Sequence, residues 1–207
     1  MNNNINLKEI EKKTYTSYHQ DGLLDIFAAL YVIGFGLGIL MNEIWDFDYG
    51  LMMPALLIVV VMPIWMSAKR KITMPRIGFV KFGAQEKNKL MAVFLGIMVA
   101  GILVFLAFGL TQNDLPFWQD VIVANGMIVI GIGSLGFCGL FGSSMGLKRL
   151  YGYGILSLAL LTIGHFIGVF LAYIILALGI TVMVTGFALL INFVKKYPIQ
   201  GEKAIDK

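Results

Sequence analysis

The chain has few of the residues on which covalent cross-links and enzyme chemistry depend. Its 207 residues include one cysteine, Cys138, and two histidines. A single cysteine excludes an intramolecular disulfide, and apolar neighbours are typical of a packing residue. Walker A, HExxH and CxxC motifs are missing, as are GxSxG and GxGxxG motifs between a strand and a helix. The sequence therefore predicts a protein that is not an enzyme and binds no cofactor or metal ion.

Charge is scarce as well. Charged residues make up 14% of the chain and hydrophobic residues 58%, and the mean hydropathy is +0.83. Soluble globular domains carry about a quarter charged residues, so this composition excludes that class. It predicts an all-α protein, a polytopic bundle of transmembrane helices. The chain has 16 Lys and Arg residues against 12 Asp and Glu residues, and the basic residues flank apolar runs. We therefore expect membrane lipid as a partner, and no nucleic acid.

Six apolar runs approach the length of about 20 residues that a spanning helix needs. The last two share one apolar stretch, which is too long for a single helix and for which Gly164, His165 and Gly168 are the candidate break. The predicted spans are 22–41, 51–68, 90–110, 121–141, 150–166 and 170–194, in a membrane domain over 21–194 with tails at 1–20 and 195–207 and a basic cytoplasmic loop at 69–89.

The positions of the cations predict the orientation of these spans. With six spans, all 16 Lys and Arg fall on one side of the membrane, and the loop 69–89 alone holds seven of them. The opposite side carries acidic residues such as Glu43 and Asp114. Cytoplasmic segments are enriched in Lys and Arg. We therefore expect a multi-pass protein of a prokaryotic cytoplasmic membrane with both termini in the cytoplasm.

Two carboxylates at the start of the first span are candidate functional residues. Asp21 and Asp25 lie about one helical turn apart, so they share a face. They could form a proton or cation site. In the simpler interpretation, Asp21 caps the helix and Asp25 pairs with Arg76 or Lys81. The simpler interpretation is favoured because both carboxylates lie near the headgroups rather than at the midplane.

His165, near the outer end of the fifth span, is a further candidate. A titratable or metal-binding role would need a second ligand, and no His, Cys or carboxylate lies beside it at ligand spacing. The sequence therefore favours a histidine at the membrane interface.

Glycine predicts where helices approach one another. Gly34 and Gly38 form a GxxxG pair in the first span, which allows close contact with a neighbouring helix. The fourth span is rich in glycine, including Gly131 and Gly136. We expect this span either to lie inside the bundle or to be locally broken.

The basic loop contains a pattern of apolar and polar residues that is not needed to set the orientation of the protein in the membrane. Apolar residues alternate loosely with polar ones from Ile72 to Phe82, and Pro75 with Gly78 suits a turn. A short hairpin or interfacial ribbon fits this pattern, and so does a plain loop that only sets topology. The run ITMPRIGFVKF, together with DGLLDIFAAL, resembles a pattern in small multi-span bacterial membrane proteins to which no activity is assigned. The resemblance implies no role for any residue.

Three functions follow from these features. The first is a non-enzymatic membrane component whose basic loop contacts anionic lipid or a protein partner at the cytoplasmic face. The second is a small transporter or channel that uses the glycine-rich fourth span and Asp25. The third is an intramembrane enzyme, which would need His165 to pair with an acidic residue.

Overall fold

The computed structural model describes residues 19–45, 53–77, 121 and 124–198. Every element in these ranges is a helix, with no strand among them, which confirms the all-α prediction for this part of the chain. Four helices are long and apolar enough to cross a membrane, which indicates an integral membrane protein. The predicted third span at 90–110 and most of the basic loop lie outside the described residues.

The helices follow the apolar runs of the sequence, with one extension. The second helix continues without interruption through a five-residue π-helix and a further short α-helix. The bounds are α1 Leu23–Trp45, α2 Met53–Ala68, the π-helix Lys69–Thr73, α3 Met74–Ile77, α4 Gly126–Met145, α5 Lys148–Ile167 and α6 Leu171–Lys196.

The chain divides into two compact units, 1–81 with 170–207 and 82–169. In the first unit, α1 packs against both α2 and α6. On the α2 side, the ring centroids of Phe27 and Trp65 are 5.9 Å apart, and two turns further along α1 the Leu57 side chain covers Gly34. The partner residue number falls as the α1 number rises, so the two helices are antiparallel.

The contact between α1 and α6 is also antiparallel, and it is closer. A Cβ placed on Gly22 would lie 2.8 Å from the backbone nitrogen of Leu190, and one on Gly36 would lie 3.0 Å from Leu176 Cγ. The start of α1 therefore lies beside the end of α6. Missing side chains let two membrane helices approach to backbone contact in this way.

The second unit contains an antiparallel hairpin of α4 and α5. Gly146, with a φ of 69°, ends α4 in the left-handed conformation that glycine adopts without strain. The next backbone N–H, that of Leu147, donates to the Gly142 carbonyl at 3.0 Å. Halfway along the hairpin the hydroxyls of Ser134 and Ser157 are 2.7 Å apart. The α4 helix is unbroken despite its glycines.

A glycine divides the last apolar run into two helices. Gly168 has a φ of 76°, and its N–H donates to the carbonyl of His165 at 3.3 Å. The N–H of Val169 donates to the carbonyl of Gly164 at 2.9 Å. This pair of hydrogen bonds is the Schellman motif, which satisfies the last carbonyls of a helix. The chain is then extended at Phe170, and α6 begins at the next residue.

The expected ribbon in the basic segment is wrong for residues 72–77, which are helical. Residues 69–71 of the basic segment are helical as well, and 78–89 lie outside the described residues. Pro75 has no N–H, so a regular α-helix would lose one hydrogen bond there. The π-helix ahead of it widens the turn, with the N–H of Met74 donating to the Lys69 carbonyl. Helical structure therefore passes through the proline instead of ending at the first cation.

Candidate functional site at a buried ion pair

Asp21 stands at the start of α1 and organises the residues around it. Its Oδ1 accepts a hydrogen bond from the backbone N–H of Leu23 at 3.2 Å. Gly22 between them has a φ of 79°, in the region that glycine adopts readily. This contact satisfies one of the backbone donors that a helix leaves without a partner at its start.

The other carboxylate oxygen of Asp21 binds two side chains from the π-helix. Lys69 Nζ lies 2.7 Å from Oδ2, and the Thr73 hydroxyl donates to the same oxygen at 2.5 Å. Asp21 and Thr73 are 0% exposed and Lys69 is 2% exposed. A buried charge is tolerated where it is paired and hydrogen-bonded. The three residues therefore form a buried polar cluster, here called the Asp21 cluster.

Lys69 also lies over the aromatic ring of Trp65. Its Nζ is 5.8 Å from the centre of the Trp65 ring, within range of a cation–π interaction. Trp65 in turn packs against Phe27 of α1. The cation is thus held by a carboxylate on one side and by an aromatic ring on the other.

Lys69 and Thr73 are not among the residues predicted from the sequence, because the predicted second span ends at Ala68. One signal was available: Trp65, Lys69 and Thr73 are each four residues apart, which is the spacing of one helix face. Continuing the helix by two turns would have brought the lysine and the threonine onto the face that carries Trp65.

The remaining predicted residues of this region lie close by, with different contacts. Asp25 is 1% exposed, and its Cβ is 3.2 Å from the position of a Cβ on Gly186, at the α6 contact. Arg76 is half-buried, and its Nη1 donates to the Ile72 carbonyl at 3.0 Å. Lys81 lies outside the described residues. Lys69 of this segment forms an ion pair with Asp21.

His165 lies in the second unit, near the end of α5. Its ring meets that of Phe166 edge to face, with 5.6 Å between centroids. Among the described residues there is no group of three His, Cys, Asp or Glu side chains that could hold a metal ion. In this part of the chain the His165 ring contacts Phe166, and the His165 carbonyl accepts a hydrogen bond from Gly168 in the cap at the end of α5.

The predicted packing glycines differ in their surroundings. Gly34 and Gly38 are buried, and Gly34 lies under Leu57. Gly131 packs on α5, where an added Cβ would lie 3.2 Å from Leu158 Cα. No described atom lies within 4 Å of a Cβ placed on Gly136. In the hairpin, Gly142 and Gly154 make the other close contacts, and a Cβ placed on Gly154 would lie 3.1 Å from Cys138 Cβ.

Comparison of the chain with protein-family models, with curated proteins and with solved structures finds no match. The resemblance carried by ITMPRIGFVKF and DGLLDIFAAL therefore stays a prediction.

Proposed function

We propose that this chain is a non-enzymatic, multi-pass component of a prokaryotic cytoplasmic membrane whose basic cytoplasmic end binds anionic lipid. The observation that carries the proposal is the distribution of charge in the first unit. All described Lys and Arg residues of that unit lie at one end of its three long helices. They are Lys69, Arg70, Lys71, Arg76, Lys195 and Lys196.

Three segments meet at this end. Asp21 binds Lys69 and Thr73 of the π-helix, and Gly22 lies against Leu190 near the end of α6. We call this surface the basic end and define it by its exposed cations Arg70, Lys71, Lys195 and Lys196. At the other end of α1 the exposed charge is Glu43. Such an asymmetry favours a cytoplasmic location of the basic end.

The Asp21 cluster leaves the positive charge of this surface undiminished. Asp21 is buried and neutralises Lys69 internally, so it does not offset the exposed cations. A Lys or Arg near an anionic leaflet contributes roughly 1 kcal/mol of attraction. Four exposed cations on ordered helix ends therefore suit contact with anionic headgroups.

The proposal includes six spans with both termini in the cytoplasm. Successive spans alternate in direction, so a protein whose first and last spans are antiparallel has an even number of spans. The helices α1 and α6 are antiparallel. A reporter fused at Asn113, which falls between the predicted third and fourth spans, is expected to read as external. A cytoplasmic signal there would overturn the six-span arrangement.

Lipid binding is tested on protein extracted with its native lipid. The ratio of anionic to zwitterionic lipid that co-purifies is compared between Lys71→Gln and the wild type. Asn42→Asp is the matched control, because it lowers the net charge equally at an exposed position on the opposite end. We expect about a fivefold weaker preference for anionic lipid in Lys71→Gln, corresponding to about 1 kcal/mol, and no change in the control.

Two results would contradict lipid binding. One is an unchanged lipid ratio in the double variant Arg70→Gln/Lys71→Gln. The other is a cytosolic protein that co-purifies with the wild type and is lost from this variant while the lipid ratio is unchanged, which would make the partner a protein.

A small transporter or channel is the second candidate, favoured by the burial of Asp25 within a membrane-length helix. Ionisable residues inside a membrane often mark an ion path. In proteoliposomes, an ion path through Asp25 predicts a proton or cation flux that Asp25→Asn abolishes. Equal flux with both proteins, or none with either, would exclude this role.

A further inference from the structure

A groove runs between α1 and α2 directly below the Asp21 cluster. It is lined by apolar side chains from Leu23 to Leu30 on α1 and from Val61 to Ala68 on α2. These stretches are each about 10 Å long at 1.5 Å per residue. The cavity has a volume of about 80 Å³, which is well below the several hundred Å³ typical of a site for a small molecule. Its shape suits part of a hydrocarbon chain lying along the helices.

Trp65 lines the groove through its ring and carries one polar atom, the indole nitrogen. The indole nitrogen of Trp65 is buried, and among the described residues nothing accepts its hydrogen bond. An indole N–H is a donor only, and leaving it without a partner in an apolar setting is unfavourable. An ester carbonyl at the junction of a phospholipid headgroup and its chains is an acceptor of the required kind.

Cations lie just beyond the same end of the groove. Lys71 is exposed and lies three residues after Ala68, the last lining residue of α2, in the π-helix that continues α2. Arg70 is exposed beside it. The Nε of Arg76 is buried, with no hydrogen-bond acceptor among the described residues. A phosphate would satisfy such donors.

We propose that this groove is a binding site for one anionic diacyl phospholipid, with an acyl chain between α1 and α2 and the phosphate at Lys71 and Arg76. The site rests on the proposed function, because it requires the basic end to face an anionic leaflet. It goes further, since it names one bound lipid in place of a general attraction.

Fluorescence of Trp65 tests the site. A Trp45→Phe/Trp118→Phe background leaves Trp65 as the sole tryptophan, and the protein is reconstituted in phosphatidylcholine vesicles. Lipid with brominated acyl chains quenches tryptophan on contact. It is titrated over the same range of mole fractions as either phosphatidylglycerol or phosphatidylcholine. We expect the brominated phosphatidylglycerol to quench Trp65 at a several-fold lower mole fraction and to reach saturation.

Two neighbouring residues supply the groove variant and its control. Val61 lines the groove and Val60 does not, although Val60 is 59% exposed on the same turn. Val61→Phe is expected to abolish the preference for brominated phosphatidylglycerol by filling the groove. Val60→Phe is expected to keep the preference.

Equal quenching by the two brominated lipids, or the same response in both phenylalanine variants, would overturn the site. The ratio of anionic lipid that co-purifies is measured on the same preparations. If that enrichment persists while Trp65 shows no preference, the groove proposal fails alone. If the enrichment is missing as well, the proposed function fails with it.

Discussion

The two faces of α1 are built differently. Toward α6 the contact includes backbone as well as side chains: positions for a Cβ on Gly179 and Gly186 lie 3.1 and 2.9 Å from the backbone nitrogens of Ile33 and Ile26. Toward α2 the contact is made by side chains, with Phe27 against Trp65, and it contains the groove. Backbone contacts cannot be relieved by rotating a side chain, whereas side-chain contacts can. We therefore expect α1 and α6 to form a rigid pair and α2 to be the adjustable helix.

The Asp21 cluster compensates for the looser face. It joins the extension of α2 to the start of α1 through one ion pair and one hydrogen bond. Because it lies at the end of the groove, it fixes that end while the side chains below can adapt to an occupant. The following changes test this difference between the two faces.

The largest loss of stability is expected from Asp21→Ala. This change leaves Lys69 buried without its carboxylate, and removing one partner of a buried ion pair lowers stability by about 3–5 kcal/mol. The free energy of unfolding is measured by SDS titration in mixed micelles.

The double variant Asp21→Leu/Lys69→Leu is the control, and it keeps the protein folded if the single variant does not accumulate. Apolar replacement of both ions removes the unpaired charge, so most of the lost stability is expected to return. A double variant no more stable than Asp21→Ala would show that Asp21 acts mainly through Leu23 and Thr73.

The next largest loss is expected from Gly186→Ala. The added methyl group would lie 2.9 Å from both the backbone nitrogen and the Cγ1 of Ile26, and overpacking of a closely packed contact lowers stability by about 1–3 kcal/mol. The same SDS titration measures it. A stability equal to that of the wild type would show that α6 can move away from α1, against the rigid pair.

Features that depend on a few consecutive residues could be predicted from the sequence. The break at Gly168 is one, because a left-handed cap needs glycine wherever it occurs. The partner of Asp21 could not be predicted in this way, because the hydropathy falls at Lys69 although the helix continues. The inward position of Lys69 depends on the π-helix before Pro75 and on the contact with Asp21, which lies 48 positions earlier in the chain. Gly179 and Gly186 are seven residues apart, as are Ile33 and Ile26, and that shared spacing is visible only when the two helices are compared.

A smaller loss is expected from Gly34→Ala, on the α2 face. The added methyl group meets the end of the Leu57 side chain, which can rotate, so we expect a loss of stability at the lower end of the range of about 1–3 kcal/mol. SDS titration of this variant beside Gly186→Ala compares the two faces of α1 with the same chemical change. If Gly34→Ala were the more destabilising, the α2 face would be the rigid one.

The smallest effect is expected from Gly133→Ala in α4, where no described atom lies within 4 Å of the added methyl group. Alanine is favoured over glycine inside a helix by up to about 1 kcal/mol, so the free energy of unfolding is expected to stay level or to rise slightly. This variant separates the helix propensity of alanine from its packing, two effects that Gly34→Ala and Gly186→Ala combine. A loss as large as that of Gly186→Ala would show that α4 is packed against a segment outside the described residues or against another copy of the chain.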